Sequence, residues 1–107
     1  MNLDTEDQDE IFGATEDDIR AAITRLTSTS RRRWAVLRLR PHYYIQCYIH
    51  GDDLLDVYYR EGGPDRHYIS GMRQPKNAVT DAFLSYLYDD NRWRTAFEWQ
   101  RQPEEDQ

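Results

Sequence analysis

The chain has 107 residues, of which 38% are hydrophobic and 32% charged, with three Trp, eight Tyr and three Phe. This is the length of one domain, and the aromatic content argues against general disorder. A single cysteine, Cys47, rules out an intrachain disulfide scaffold. No apolar run reaches the roughly 18 residues of a membrane span, and the acidic start is the opposite of a secretory signal, so the expected location is the cytoplasm.

The formal charge of −6 is unevenly spread. Residues 1–18 carry eight acids and no base, residues 19–103 are net +5, and Glu104, Glu105 and Asp106 add −3. Lys76 is the lone lysine against 13 arginines, and arginine forks suit carboxylates, phosphates and aromatic faces better than lysine does. Acidic ends of this kind are read first as solubilising tails. The sharper alternative is an arm that folds back over the basic core or meets a basic partner.

Residues 1–13 lack periodicity and read as an acidic disordered arm, which Ile11 and Phe12 could pin to the core. Thr15 is a helix N-cap candidate, the acids Glu16, Asp17 and Asp18 suit the positive end of the helix dipole, and Asp18 sits at the capping-box position. Ile19, Ala22, Ile23 and Leu26 follow at helical spacing, predicting a helix over 15–27. Strands come next. Residues 34–40 alternate Ala35, Leu37, Leu39 against Trp34, Val36, Arg38, Arg40, and Pro41 breaks the run. Residues 43–50 alternate Tyr43, Ile45, Cys47, Ile49 against Tyr44, Gln46, Tyr48, His50. After a Gly51-Asp52-Asp53 turn, residues 54–60 alternate Leu55, Val57, Tyr59 against Leu54, Asp56, Tyr58, Arg60. A short strand over 66–70 completes an antiparallel meander with one buried and one wetter face. Pro75 suits the first turn of a second helix, whose apolar stripe is Val79, Phe83, Leu84 and Leu87. Residues 93–101 read as a last strand.

The expected fold is therefore α+β, an antiparallel sheet of four to five strands with two helices in the order α-β-β-β-β-α-β. It occupies residues 14–101 as a single domain, between the acidic arm (1–13) and an acidic tail (102–107).

Catalytic constellations are weak. His42, His50 and His67 have no compact metal-ligand spacing, and one cysteine cannot complete a structural zinc site. Cys47 shares an apolar strand face with Ile45 and Ile49 and reads as an inert buried thiol. Gly62-Gly63 is not followed by a helix and forms no phosphate loop. The reading is a binding module rather than an enzyme, with no metal and no cofactor. For nucleic acid, Arg31, Arg32 and Arg33 form the densest basic cluster, Arg38 and Arg40 continue along one strand, and Tyr44, Tyr48 and Tyr58 could share the sheet. Arginines interleaved with tyrosines suit single-strand binding, although the acidic arm would compete with phosphates for the same arginines.

The segments YYIQCYIHGDDLLDVYYREGG (43–63), HYISG (67–71), NAVTDAFLSYLYDDNRW (77–93) and FEWQ (97–100) together resemble immunity proteins of bacterial polymorphic-toxin systems, the family that includes deaminase-toxin immunity proteins. The matching features are Val57-Tyr58-Tyr59, Ser70-Gly71, the helix over 79–88 and Phe97-Glu98-Trp99. The arginine triplet and the acidic arm have no counterpart in that pattern. The resemblance implies a non-catalytic inhibitor that binds a cognate protein toxin in the producing cell. An acidic protein would be drawn to the basic groove that a nucleic-acid enzyme needs. The contacts expected on that reading are Asp52, Asp53, Asp56, Tyr58 and Glu61, which lie on one hairpin. Single-stranded nucleic-acid binding through Arg31, Arg32, Arg33, Arg38 and Arg40 is the alternative.

Overall fold

Alternating apolar residues at 34–40, 43–49 and 55–61 do form adjacent strands, and they are the centre of the sheet rather than most of it. A computed structural model describes residues 1–102. In chain order the elements are β1 (Asn2–Thr5), β2 (Gln8–Ile11), α1 (Glu16–Arg25), β3 (Trp34–Arg40), β4 (Tyr43–Ile49) and β5 (Leu55–Glu61), then a 3-10 turn at Pro64–Arg66. They continue with β6 (His67–Ser70), α2 (Lys76–Tyr88), α3 (Trp93–Ala96) and β7 (Trp99–Arg101). All seven strands join one sheet in the order β2-β1-β3-β4-β5-β6-β7, and every neighbouring pair is antiparallel. The protein is thus α+β, with more strands than the four to five expected and a third, short helix.

The largest correction is at the start of the chain. The segment expected to be a disordered arm is a β-hairpin, and β1 pairs along its whole length with β3, from Asn2 opposite Arg38 to Thr5 opposite Ala35. Two features hold it there. Leu3 and Thr5 point into the core and are almost fully buried. The intervening acids meet arginines of the rest of the chain: Glu6 with Arg33, Asp7 with Arg25 and Glu10 with Arg38. Folding-back over the basic core is therefore the reading of the acidic segment that the structure bears out. The tail beyond residue 102 lies outside the described residues.

Helix α1 begins as expected. The Thr15 hydroxyl accepts from the Asp18 backbone N–H, and the Asp18 carboxylate accepts from the Thr15 N–H at 2.8 Å, which completes a capping box. Its other end is capped from a distance: the Lys76 ammonium, at the start of α2, donates to the carbonyls of Thr24 and Leu26, both at 2.8 Å. Helices α1 and α2 lie against the same face of the sheet. Ile19, Ala22 and Ile23 of α1 and Val79, Ala82 and Phe83 of α2 pack with Leu37, Ile45, Cys47, Leu55 and Val57 to make the core.

The second correction is at residues 93–101, which divide into α3 and β7 instead of one strand. The Ser85 hydroxyl accepts from the Trp93 backbone N–H at 3.0 Å and is itself bonded to the Asp90 carboxylate. That contact folds the chain into a turn after α2, with Asp89 and Asn91 both left-handed, and buries Trp93. Trp93 and Trp99 then meet the Tyr59 ring edge-on at 4.8 and 4.7 Å between centroids.

Candidate interaction surface

Side chains alternate across a strand, so burying Ile45, Cys47, Ile49 and Val57 under the helices turns their neighbours to the other face. Among the described residues no helix covers that face. Register places three cross-strand rows on it. The first is Trp34, Tyr48 and Asp56; the second is Val36, Gln46, Tyr58 and Ile69; the third is Arg38, Tyr44, Arg60 and His67. The expectation that Tyr44, Tyr48 and Tyr58 share a sheet face is met. All three are half-buried, held by neighbours yet open to a partner.

The aromatic groups are fixed by local contacts. The Tyr58 ring stacks on His67 at 5.7 Å with 16° between planes, and Tyr48 tilts against His50 at 5.4 Å. A carbonyl can only accept, so the His67 Nδ1 donates to the Gln102 carbonyl at 2.8 Å. His50 Nε2 lies 2.7 Å from the Asp56 carboxylate. Gln46, Tyr48, Tyr58 and His67 line a shallow depression of about 220 Å3. Partial burial, then the nearby Asp56 carboxylate, raise the Tyr58 hydroxyl above its ordinary pKa, so it is a neutral hydrogen-bonding group at pH 7.

The five hairpin residues singled out in the sequence separate on folding. Asp56 and Tyr58 lie on the open face. Asp52 and Asp53 sit at its edge, in the β4–β5 turn, both exposed. Asp52 accepts from the Leu54 N–H at 3.1 Å and from Arg73 at 3.2 Å, and these bonds, the backbone one first, lower its pKa. Asp53 takes the left-handed conformation that closes the turn, with φ 61°. Glu61 belongs elsewhere. Its position in the alternation puts it on the helix side, where Arg94 grips both oxygens at 2.7 and 2.8 Å and holds its pKa down.

The five arginines separate too. Arg33 donates to Glu6 from its backbone N–H, Nε and Nη2, at 3.0, 3.1 and 2.6 Å; this lowers the Glu6 pKa and raises that of Arg33. Arg38 stands 3.8 Å from Glu10. Beyond an irregularity in β3, Arg40 lies over the Tyr43 ring at 4.2 Å. Arg31 is exposed in the loop before β3, and Arg32 bonds Ser30. No continuous arginine strip results.

The sequence marks His50 and His67 only by their lack of metal-ligand spacing, and does not show that both belong to the aromatic surface. His67 faces Tyr58 across a connection containing a 3-10 turn, and nothing in the local sequence fixes the register that turn imposes. Cys47 is fully buried and its thiol is pushed up to about 12 by burial, as expected of an inert core residue. Among the described residues no group of three His, Cys, Asp or Glu side chains could hold a metal, and no helix is long and apolar enough to cross a membrane. No protein-family model matches the chain, and no curated protein or solved structure matches it.

Proposed function

We propose that this protein is a non-catalytic immunity protein that binds and neutralises a protein toxin acting on nucleic acid, in the cytoplasm of the cell that makes both. The observation that carries the reading is the open sheet face, where Tyr48, Tyr58 and Trp34 form an aromatic surface bordered by Asp56, Asp52 and Asp53. Half-buried tyrosines and tryptophans are the side chains that most often dominate binding energy at interfaces. Because they project from paired strands and are braced by His50 and His67, little side-chain freedom is lost on docking. An enzyme that handles nucleic acid presents a basic groove, and the carboxylates at the turn end of this face complement it. On this reading Asp52, Asp53, Asp56 and Tyr58 belong to the contact, while Glu61 supports the fold.

The test is co-expression with the toxin domain encoded beside this protein, reading growth rescue and co-purification. Rescue by the native chain, and its loss in Tyr58→Ala and Asp56→Ala variants with unchanged Tm, is the expected outcome. Absence of both complex and rescue would sink the proposal.

A second reading has one observation in its favour: the Arg38–Tyr44–Arg60 row alternates bases with an aromatic ring, as single-strand binders do. Glu10 beside Arg38 weighs against it. Fluorescence anisotropy with labelled single-stranded DNA and RNA at low salt separates the two, since salt-sensitive binding is expected only of the second.

A further inference from the structure

Four residues of the open face form a square. Gln46 lies opposite Tyr58, and Tyr48 opposite Asp56, on the paired strands β4 and β5. The two tyrosines therefore occupy one diagonal, and Gln46 and Asp56 the other. Diagonal neighbours in an antiparallel pair are rooted about 7–8 Å apart, twice the roughly 3.5–4.0 Å at which carbon atoms touch. One flat group, a single atom thick, fits between the rings. Each ring packs on a histidine outside the square, Tyr48 on His50 and Tyr58 on His67. The depression of about 220 Å3 lined by Gln46, Tyr48, Tyr58 and His67 opens there. It is shallow, so it suits the tip of a side chain carried by another protein better than a free small molecule, which needs to be mostly enclosed.

Charge decides what the flat group is. Asp56 gives one oxygen to His50 at 2.7 Å, and a carboxylate has about four lone-pair sites, so it can still receive donors from within the square. The Gln46 carbonyl can turn toward the same space. Two cations approach the square, and each is already matched: Arg33, beside Tyr48, is held by Glu6, and Arg73, beside Tyr58, is held by Asp52. Arg60 is on the same face four residues from Asp56, about 13 Å along the strand, and its Nε donates to the Gly62 carbonyl. The faces of the tyrosine rings are themselves negative. A phosphate is repelled by Asp56 and a neutral base gains stacking alone, whereas a cation gains both from the rings and from the carboxylate. A guanidinium is flat with donors along its edge, while an ammonium is a compact point charge.

We infer that the slot between Tyr48 and Tyr58 receives an arginine side chain of the partner protein, its guanidinium lying between the two rings and donating to Asp56 and Gln46. This rests on the reading of the open face as the toxin-binding surface and adds the chemistry of the anchor. The arginine belongs to the basic groove of the toxin, where it would otherwise engage substrate phosphate.

The probe is the peptide acetyl-Gly-Arg-Gly-amide, titrated into the full chain at low salt and followed by the ring-proton signals of Tyr48 and Tyr58 in two-dimensional NMR. Saturation at roughly 1–10 mM is expected for one guanidinium on a partly exposed site. The citrulline analogue keeps the shape and loses the charge, and should bind about tenfold more weakly. Asp56→Asn should weaken the arginine peptide about tenfold, and Tyr48→Leu, which removes one wall, about threefold. No saturation, equal binding of the arginine and citrulline peptides, or arginine binding unchanged in Asp56→Asn overturns the inference. Tighter binding of thymidine monophosphate than of the arginine peptide also overturns it, and assigns the slot to single-stranded nucleic acid. No toxin takes part in this titration, so the two failures are distinct: a chain that rescues growth yet does not bind the arginine peptide keeps the toxin reading and loses the arginine slot.

Discussion

Replacing Leu3 by alanine probes whether the acidic N-terminal segment belongs to the folded domain. Leu3 is 1% exposed and part of the main core cluster. The change deletes three carbons, worth about 2.4 kcal/mol at roughly 0.8 kcal/mol per buried methylene-sized group. The cavity left behind adds to that, because only part of the surroundings can relax, and buried Leu→Ala changes fall at about 2–5 kcal/mol. β1 has only β2 beyond it, so the site collapses more readily than a central one, and about 2.5–3.5 kcal/mol is expected. For a domain of this size that lowers Tm by at least about 10 °C. Urea unfolding followed by tryptophan fluorescence gives the free energy directly, and calorimetry gives the Tm. Phe12→Ala is the matched control: Phe12 lies in the same segment but is 75% exposed, and its loss should cost less than about 0.5 kcal/mol. If Leu3→Ala also changes stability by less than about 0.5 kcal/mol, the segment does not belong to the sheet and the argument fails.

Three further outcomes can be checked the same way. Ser85→Ala removes the acceptor of the buried Trp93 N–H and should cost about 1–3 kcal/mol in urea unfolding, the penalty of an unsatisfied buried donor. Asp90 has its pKa lowered from 3.8 to about 2, first by Arg92 and then by Ser85. Its folded pKa is below its unfolded one, so its contribution is present above about pH 4 and fades as pH falls towards 2; the urea midpoint measured against pH should fall across that window, less steeply in Asp90→Asn. Cys47, buried and raised to about 12, should react with a thiol reagent only as fast as the protein opens; immediate labelling of the native chain would contradict its burial.

Local pattern was enough for some elements and not for others, and the difference is physical. Strands β3, β4 and β5 show in the alternation of Leu37, Ile45, Cys47 and Val57 with polar neighbours, since each strand has one dry face and one wet one. The start of α1 shows in Thr15 and Asp18, because a capping box is made within four residues. The hairpin of β1 and β2 does not show. Asp and Glu are poor strand formers, and only Leu3, Thr5 and Ile11 mark the inward face. What makes it a sheet hairpin is pairing with β3 and the arginines at 25, 33 and 38, all distant in sequence. The Trp93 region misled for a similar reason: Thr95, Phe97 and Trp99 alternate like a strand, but the Ser85–Trp93 bond sets the start of that segment as a helical turn. For the interaction surface, Asp52, Asp53, Asp56, Tyr58 and Glu61 are close along the β4–β5 hairpin, but closeness in sequence does not put side chains on one face. Counting from Tyr58 by twos leads to Asp56 and Arg60, and Glu61 falls on the other side.

The order of strands also bears on how this protein behaves when crowded. A sheet that does not close on itself ends in two rows of unpaired backbone groups, and such rows invite other chains to add on. Here the outermost strands are short: β2, four residues long with Asp9 and Glu10 in it, and β7, three residues long and ending in Arg101. The strands whose sequences would make dangerous templates, Trp34–Arg40, Tyr43–Ile49 and Leu55–Glu61, each have a neighbour on both sides. Detaching the N-terminal hairpin would expose β3, seven residues of strong β-former, as a new edge. Variants that loosen Leu3 or the Glu6–Arg33 pair should therefore aggregate before they unfold fully.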